Sequence, residues 1–269
     1  MPNLKVYAVV INSNHGIVLP RMFTPDLIVL SIQSSCDTNT VDQIVSGLIA
    51  DKSKESQLFQ EISRTVKPNV TTVILVRSKL LKRSQIGELT IQAIPPASKV
   101  KSFIVTRFCI EEKEDEQWSG SYSTSCSVVN VQLSSQLGDT ERRAYELEQL
   151  FDVLEPSDLV VVFGKFNFSL HNTTASDSSQ LVMAKMFNEL LAHHDELILH
   201  TKFHDTFQEF EISFPPTPAP EQKGCCLPSS QSLPGWADRI FFTKNVEIHC
   251  DLHNKVPNEI ACVASYKMH

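Results

Sequence analysis

The chain has 269 residues, enough for one large domain or two small ones, and 42% of them are apolar, enough for a sizeable core. Eight Gly, 14 Pro and 20% charged residues exclude a collagen-like or wholly disordered chain. With 24 Lys and Arg against 31 Asp and Glu the net charge is −7, the wrong sign for a protein whose affinity comes from neutralising phosphates, so no nucleic-acid partner is expected.

Residues 1–12 lack the basic segment, apolar stretch and cleavage site of a secretory leader, and no apolar run approaches the roughly 18 residues that cross a bilayer. A cytoplasmic chain without a transmembrane segment is expected. Its seven cysteines, odd in number and without paired spacing, are then expected as reduced thiols. Sequons beginning at Asn69, Asn167 and Asn172 would have no route to glycosylation.

Taken in order, short apolar and β-branched runs predict strands at 4–11 and 27–32. Val41, Ile44, Val45, Leu48 and Ile49 then carry helical spacing. Strand runs resume at 70–76, 89–94, 103–110 and 128–133, and the acidic segment 111–117 reads as a solvated hairpin tip. A second helical stripe is Leu147, Leu150, Phe151 and Leu154; a strand covers 159–163; Met183, Met186, Phe187, Leu190 and Leu191 predict one further helix. Six prolines between Pro215 and Pro234 predict a long loop, after which strand-like sequence resumes at Ile240. Two hairpin-like stretches with no helix between their strands favour mostly antiparallel pairing, with helices packed outside. The expected architecture is α/β, one domain over 1–269 built on two sheets, with no internal repeat visible.

The most specific pattern lies late in the chain: Phe207, Glu209, Ile212, Phe214, Pro216 and Thr217, then Pro234, Trp236, Asp238, Arg239 and Ile240. It resembles the F-x-E-x-x-I-x-F-x-P-T and P-A-W-C-D-R-I blocks of the inositol polyphosphate 5-phosphatases, the second reading PGWADRI here. Other blocks follow in family order. VINSN at 10–14 is similar to T-W-N-V-N, PDLIVLSIQSS from Pro25 to P-D-I-Y-V-x-G-F-Q-E, VVNVQL to F-V-N-S-H-L, Glu141 to Arg143 to E-R-R, and VFGKFNFSL at 162–170 to W-x-G-D-L-N-Y-R-L. The resemblance spans nearly the whole chain. It implies the four-layer αββα sandwich of the endonuclease/exonuclease/phosphatase superfamily, two sheets flanked by helices.

The resemblance also implies a magnesium-dependent phosphate-ester hydrolase site, and at its chemical positions this chain departs from the pattern. Ser34 stands where the family has its metal-binding glutamate, a neutral hydroxyl in place of a hard anionic ligand. Lys165 stands at the G-D-x-N aspartate. An ammonium about 4 Å from a divalent ion is repelled by roughly 8 kcal/mol at an effective dielectric near 20. Gln132 replaces the N-S-H-L histidine, and Ile260, which transfers no proton, falls at the histidine of the closing S-D-H-x-P-V block. The substrate-binding Y-K-Y becomes Pro218, Ala219 and Pro220, and the basic residue two places before Pro234 is Ser232. Asn12, Asn14, Asn130, Asn167 and Asp238 are retained and would leave a polar cleft, with Arg239 as its vestigial substrate-side residue. Asp238 and Arg239 also read as a structural pair at a strand start, and Trp236 and Phe214 as core.

Two other constellations have bland alternatives. His249, Cys250 and His253, with His193, His194, His200 and His204 earlier, read as a zinc site only if about four ligands converge, and otherwise as solvated or half-buried histidines. Lys79, Leu80, Leu81, Lys82 and Arg83 read as an ordinary turn or as a lipid-touching tip.

The expectation is therefore a catalytically inactive member of that family, a pseudophosphatase with neither metal nor cofactor that works as a protein-interaction module. The alternatives are a non-hydrolytic phosphoinositide or inositol phosphate sensor, with Lys165 meeting the phosphate as a point charge, and a residual magnesium-dependent 5-phosphatase.

Overall fold

The structure, a computed structural model of the 269-residue chain, describes residues 3–11, 25–33, 38–49, 59–67, 70–94, 103–112, 123–135, 139–209, 212, 214–216, 233–251 and 259–267. The first half contains β1 (Asn3–Ile11), β2 (Leu27–Ile32), α1 (Thr38–Ile49), β3 (Phe59–Lys67), β4 (Val70–Arg77), α2 (Ser78–Arg83), β5 (Ser84–Ile94), β6 (Phe103–Glu112) and β7 (Ser123–Gln132). The second contains α3 (Thr140–Val153), β8 (Leu159–Lys165), α4 (Ala175–Met183), α5 (Phe187–His194), a 3-10 turn (Glu196–Leu199), α6 (Thr201–Thr206), β9 (Phe207–Glu209), β10 (Asp238–Thr243), β11 (Glu247–Asp251) and β12 (Glu259–Lys267).

Two six-stranded sheets form, ordered β11-β12-β1-β2-β4-β3 and β5-β6-β7-β8-β10-β9. Each has one parallel pair at its centre, β1 with β2 and β7 with β8, and antiparallel neighbours elsewhere. The second order repeats the first with β5 and β6 in the places of β11 and β12. The two sheets are topological copies, a repeat that the residues themselves do not display.

Strand alternation builds the layers. Val6, Ala8, Val10, Leu27, Val29 and Ile74 of the first sheet pack against Phe108, Val128, Val161, Phe163, Ile240 and Phe242 of the second, making the inter-sheet core. The intervening residues face outwards. Val9, Ile11, Leu30 and Leu75 bury against Val41, Ile44 and Val45 of α1, while Val129, Val131, Val162 and Phe241 bury against Leu147 and Leu150 of α3. The result is the expected helix, sheet, sheet, helix sandwich. With both faces covered, β2, β4 and β8 are apolar almost throughout, as their continuous runs predict.

Three local expectations change. The helix predicted across Met183 to Leu191 is two helices, because Lys185 takes a left-handed backbone (φ 57°) that breaks the path. Met183 and Met186 consequently face solvent. The segment at 79–83 is a short helix, α2, with Leu80 buried and Leu81 packed on the inter-sheet core, so its apolar pair faces the protein and not a bilayer. The third, edge strand β3, had no counterpart in the apolar runs. Of the acidic segment 111–117, Glu111 and Glu112 belong to β6, where Glu111 pairs with Ser123 of β7, and 113–117 lie outside the described residues. Among the described residues no helix is long and apolar enough to cross a membrane.

Candidate functional site at the carboxyl ends of the parallel strands

Both parallel pairs point their carboxyl ends to the same end of the sandwich, because the end of β2 touches the end of β7. Gln33, just past β2, donates from Nε2 to Ser31 Oγ (2.6 Å), Asn130 Oδ1 (2.9 Å) and the Val131 carbonyl (3.4 Å). Ser31 Oγ donates to the same Asn130 oxygen at 2.9 Å, and Asn130 Nδ2 donates to Thr72 Oγ1 (2.9 Å) and the Thr71 carbonyl (3.5 Å). β2, β4 and β7 are thus tied together across the two sheets by buried amides and hydroxyls. Asn130 is 1% exposed and its oxygen and nitrogen are both engaged, so its retention has a structural cause.

Gly164 makes that approach possible. Its φ is +124°, and a Cβ there would stand 2.3 Å from the Val131 carbonyl oxygen, 2.8 Å from Gln33 Nε2 and 2.9 Å from Asn130 Oδ1. Asn167, left-handed at φ 56°, donates from Nδ2 to the Leu133 carbonyl at 2.8 Å, while the Phe166 and Asn167 amides both donate to the Ala237 carbonyl. Asn167 therefore pins together the ends of β7 and β8 and the start of β10. Gly235, where the family block has alanine, has the same kind of reason: a Cβ would lie 2.2 Å from the Phe168 carbonyl oxygen.

One residue further out, Lys165 is in register with Gln132 on one side and Asp238 on the other. Directly opposed ladder residues share a face, so these three expected positions form one row across β7, β8 and β10. The next row inward is Asn130, Phe163 and Ile240. Gln132 is half-buried and its Oε1 is buried without a hydrogen-bond partner; the Oε1 of Gln33 is in the same condition, with that residue only 5% exposed. Lys165 is half-buried and makes no hydrogen bond or ion pair among the described residues.

Arg239 is not part of this row. It follows Asp238 on β10 and so faces the helical layer, 2% exposed, with Nη1 donating to Asp195 Oδ2 (2.7 Å) and Nε to Glu209 Oε1 (2.6 Å). A second bond joins Nη2 to Glu209 Oε2. Burial alone would lower the pKa of this guanidinium, but the adjoining Asp195 and Glu209 outweigh it and hold the charge. The expected pairing of Asp238 with Arg239 gives way to this acidic clamp, and Arg239 turns its side chain away from the cleft. The neighbouring residue Glu196 takes the second retained arginine. Its Oε2 accepts from Arg143 Nη2 (2.9 Å) and the Ser169 amide (3.0 Å), and its Oε1 from Thr140 Oγ1 (2.7 Å). Sequence reasoning missed Asp195 and Glu196, which carry no family motif.

Trp236 is buried and donates to the Phe214 carbonyl at 3.1 Å, as a core residue should. Asp26 accepts from the Lys5 amide (3.1 Å) and stands 3.6 Å from Arg77, at the entry to β2. Ile260 lies at the start of β12 in register with Val10. Asn12, Asn14, Ser34, Pro218, Ala219, Pro220 and Ser232 lie outside the described residues, as does His253. The earlier histidines are dispersed among backbone partners: His194 Nδ1 lies 3.1 Å from the His171 carbonyl, His204 Nε2 3.1 Å from the Leu197 carbonyl, and His200 packs on the Phe168 ring. Burial lowers the pKa of both His200 and His204. Cys126 is a buried thiol whose pKa burial raises.

Three findings place the molecule among known proteins. The inositol polyphosphate 5-phosphatase domain of SPsynaptojanin, solved with inositol (1,4)-bisphosphate and calcium ion, superimposes with a TM-score of 0.77 over 98% of this chain and 84% of that one, at 16% identity. A Cimex nitrophorin ferrous NO complex superimposes with a TM-score of 0.69 over 98% of each chain, at 18% identity. No curated protein matches the sequence. One sandwich thus carries an inositol phosphate in one protein and ferrous NO in another, which leaves the chemistry to the site and not to the fold. The model of endonuclease/exonuclease/phosphatase family 2 matches residues 9–260, and with the motifs above in their places, the chain belongs to that family.

Proposed function

We propose that the chain is a catalytically silent member of the family, a pseudophosphatase related to the inositol polyphosphate 5-phosphatases that works in the cytoplasm as a protein-interaction module. The observation that carries the reading is Lys165, in register between Gln132 and Asp238. A divalent ion needs hard oxygen ligands, one or two carboxylates among them, and no cation beside it. This row offers one carboxylate, one neutral amide and a full positive charge, a donor set that does not fit such an ion. Ser34 and Ile260, at two further chemical positions of the family pattern, add no anion and no proton-transfer group.

What is retained supports the same reading. Asn130, Asn167 and Gly164 have structural work in joining strand ends, so their presence requires no turnover. For an interaction role, the helical layer exposes Tyr145, Met183, Met186 and Leu199. The test is release of inorganic phosphate from inositol (1,4)-bisphosphate and from phosphoinositide vesicles with Mg²⁺ or Ca²⁺. No turnover above buffer is expected, and metal-dependent turnover abolished by Asp238→Asn would overturn the reading.

A second reading is favoured by the half-buried Lys165 ammonium, which has no partner among the described residues and would suit a phosphate. In this sensor reading a soluble inositol phosphate gives saturable heat in titration calorimetry, lost in Lys165→Glu. Absence of heat leaves the interaction module.

A further inference from the structure

We propose that the Lys165 ammonium is the resident cation of this site: it folds onto the side-chain oxygens of Gln33 and Gln132, beside the Asp238 carboxylate, and takes the electrostatic place that a divalent ion would hold. The inference rests on the reading that the site binds no metal and names what replaces it.

The orientation of Gln33 is fixed. Its Nε2 is used by Ser31, Asn130 and the Val131 carbonyl, so Oε1 must turn away from all three. That oxygen is sealed from solvent and lacks a donor, and so is Oε1 of Gln132. Buried acceptors without partners are rare in native proteins, and these two, with the Gln33 amide 3.4 Å from the carbonyl of the residue before Gln132, ask for a donor. The Gln33 amide lies over Gly164, the residue before Lys165, and Gln132 is the ladder neighbour of Lys165 on β7, a strand spacing of about 4.8 Å away.

Lys165 is complementary to this deficit. An ammonium has three donors and no acceptor, on a flexible four-carbon stem, and in the structure its donors are unused among the described residues. Two amide oxygens and the carboxylate of Asp238 match those three donors. Neutral amide oxygens accept from an ammonium and bring no negative charge to balance a divalent ion.

Three measurements on the full chain test this. In ¹⁵N spectra of lysine ammonium groups, one signal is expected to be protected from solvent exchange and to vanish in Lys165→Arg; exchange at the rate of surface lysines overturns the inference. Lys165→Ala is expected to melt about 2–4 °C below wild type. Ethylammonium chloride should restore at least half of that loss in the variant, with sodium chloride at equal ionic strength restoring none and wild type unchanged; a melting point within 1 °C of wild type, or equal effects of the two salts, overturns it. Should Lys165→Ala fail to fold, Lys165→Met carries the melting comparison and the wild-type spectrum stands by itself. Failure of these tests in a chain that releases no phosphate leaves the silent-phosphatase reading intact. Metal-dependent phosphate release sinks that reading whatever the lysine does.

Discussion

Asp238 and Arg239 are neighbours in sequence and both match the family block, yet they belong to regions with opposite chemistry. Arg239 faces the helices and has its charge met by two carboxylates within hydrogen-bonding distance. Asp238 faces the other way, in a row with Lys165 and Gln132 where Gln33 and Gln132 hold buried oxygens without donors. One residue of β-strand alternation separates a saturated structural clamp from an unsaturated site. Motif retention therefore has two different settings within two positions.

The sharpest way to break that distinction is to remove the clamp. Arg239→Met takes the cation from the buried Asp195 and from the partly buried Glu209 and is expected to cost about 3–5 kcal/mol in chemical denaturation. A loss under 1 kcal/mol would show that the saturated region is not structural. Gly164→Ala comes next: it drives a Cβ into the Val131 carbonyl and the Gln33 and Asn130 amides at a left-handed φ, and roughly 2–4 kcal/mol of stability should go with it.

Acid probes the clamp side more gently. Burial lowers the pKa of His200 and His204 in the folded chain, so both are neutral there while the unfolded chain binds protons below about pH 6.5. Their contribution is complete above that pH and is lost as pH falls through the folded values. The melting point should drop on acidification from pH 7 towards 5, and the His200→Asn, His204→Asn double variant should flatten the drop. Met183→Ser should do least, within about 0.5 kcal/mol, since that side chain is 77% exposed beyond the break at Lys185. A larger loss would restore the single buried helix that its spacing suggests.

The fold was legible where burial imposes a pattern. β2, β4 and β8 are covered on both faces and read as unbroken apolar runs. β3 was not legible, because an edge strand buries only Phe59 and Ser63 fully and its remaining residues look like loop. The helical stripe from Met183 to Leu191 reads as continuous because apolar spacing carries no sign of a left-handed lysine. At the site, Lys165, Gln132 and Asp238 were found by motif order, and the ladder brings them into one row. The network of Ser31, Gln33, Thr72 and Asn130 is not legible in the sequence, since its members are up to 99 residues apart, although an asparagine inside the apolar run VVNVQL is a usable signal. The side on which Arg239 falls needed only the alternation of β10.

The central claim is that the row at the carboxyl ends of β7 and β8 cannot hold a divalent cation. Titrating the wild-type chain with magnesium chloride in a calorimeter tests it most directly. The account predicts no saturable heat; a saturable, stoichiometric heat that disappears in Asp238→Asn would contradict it.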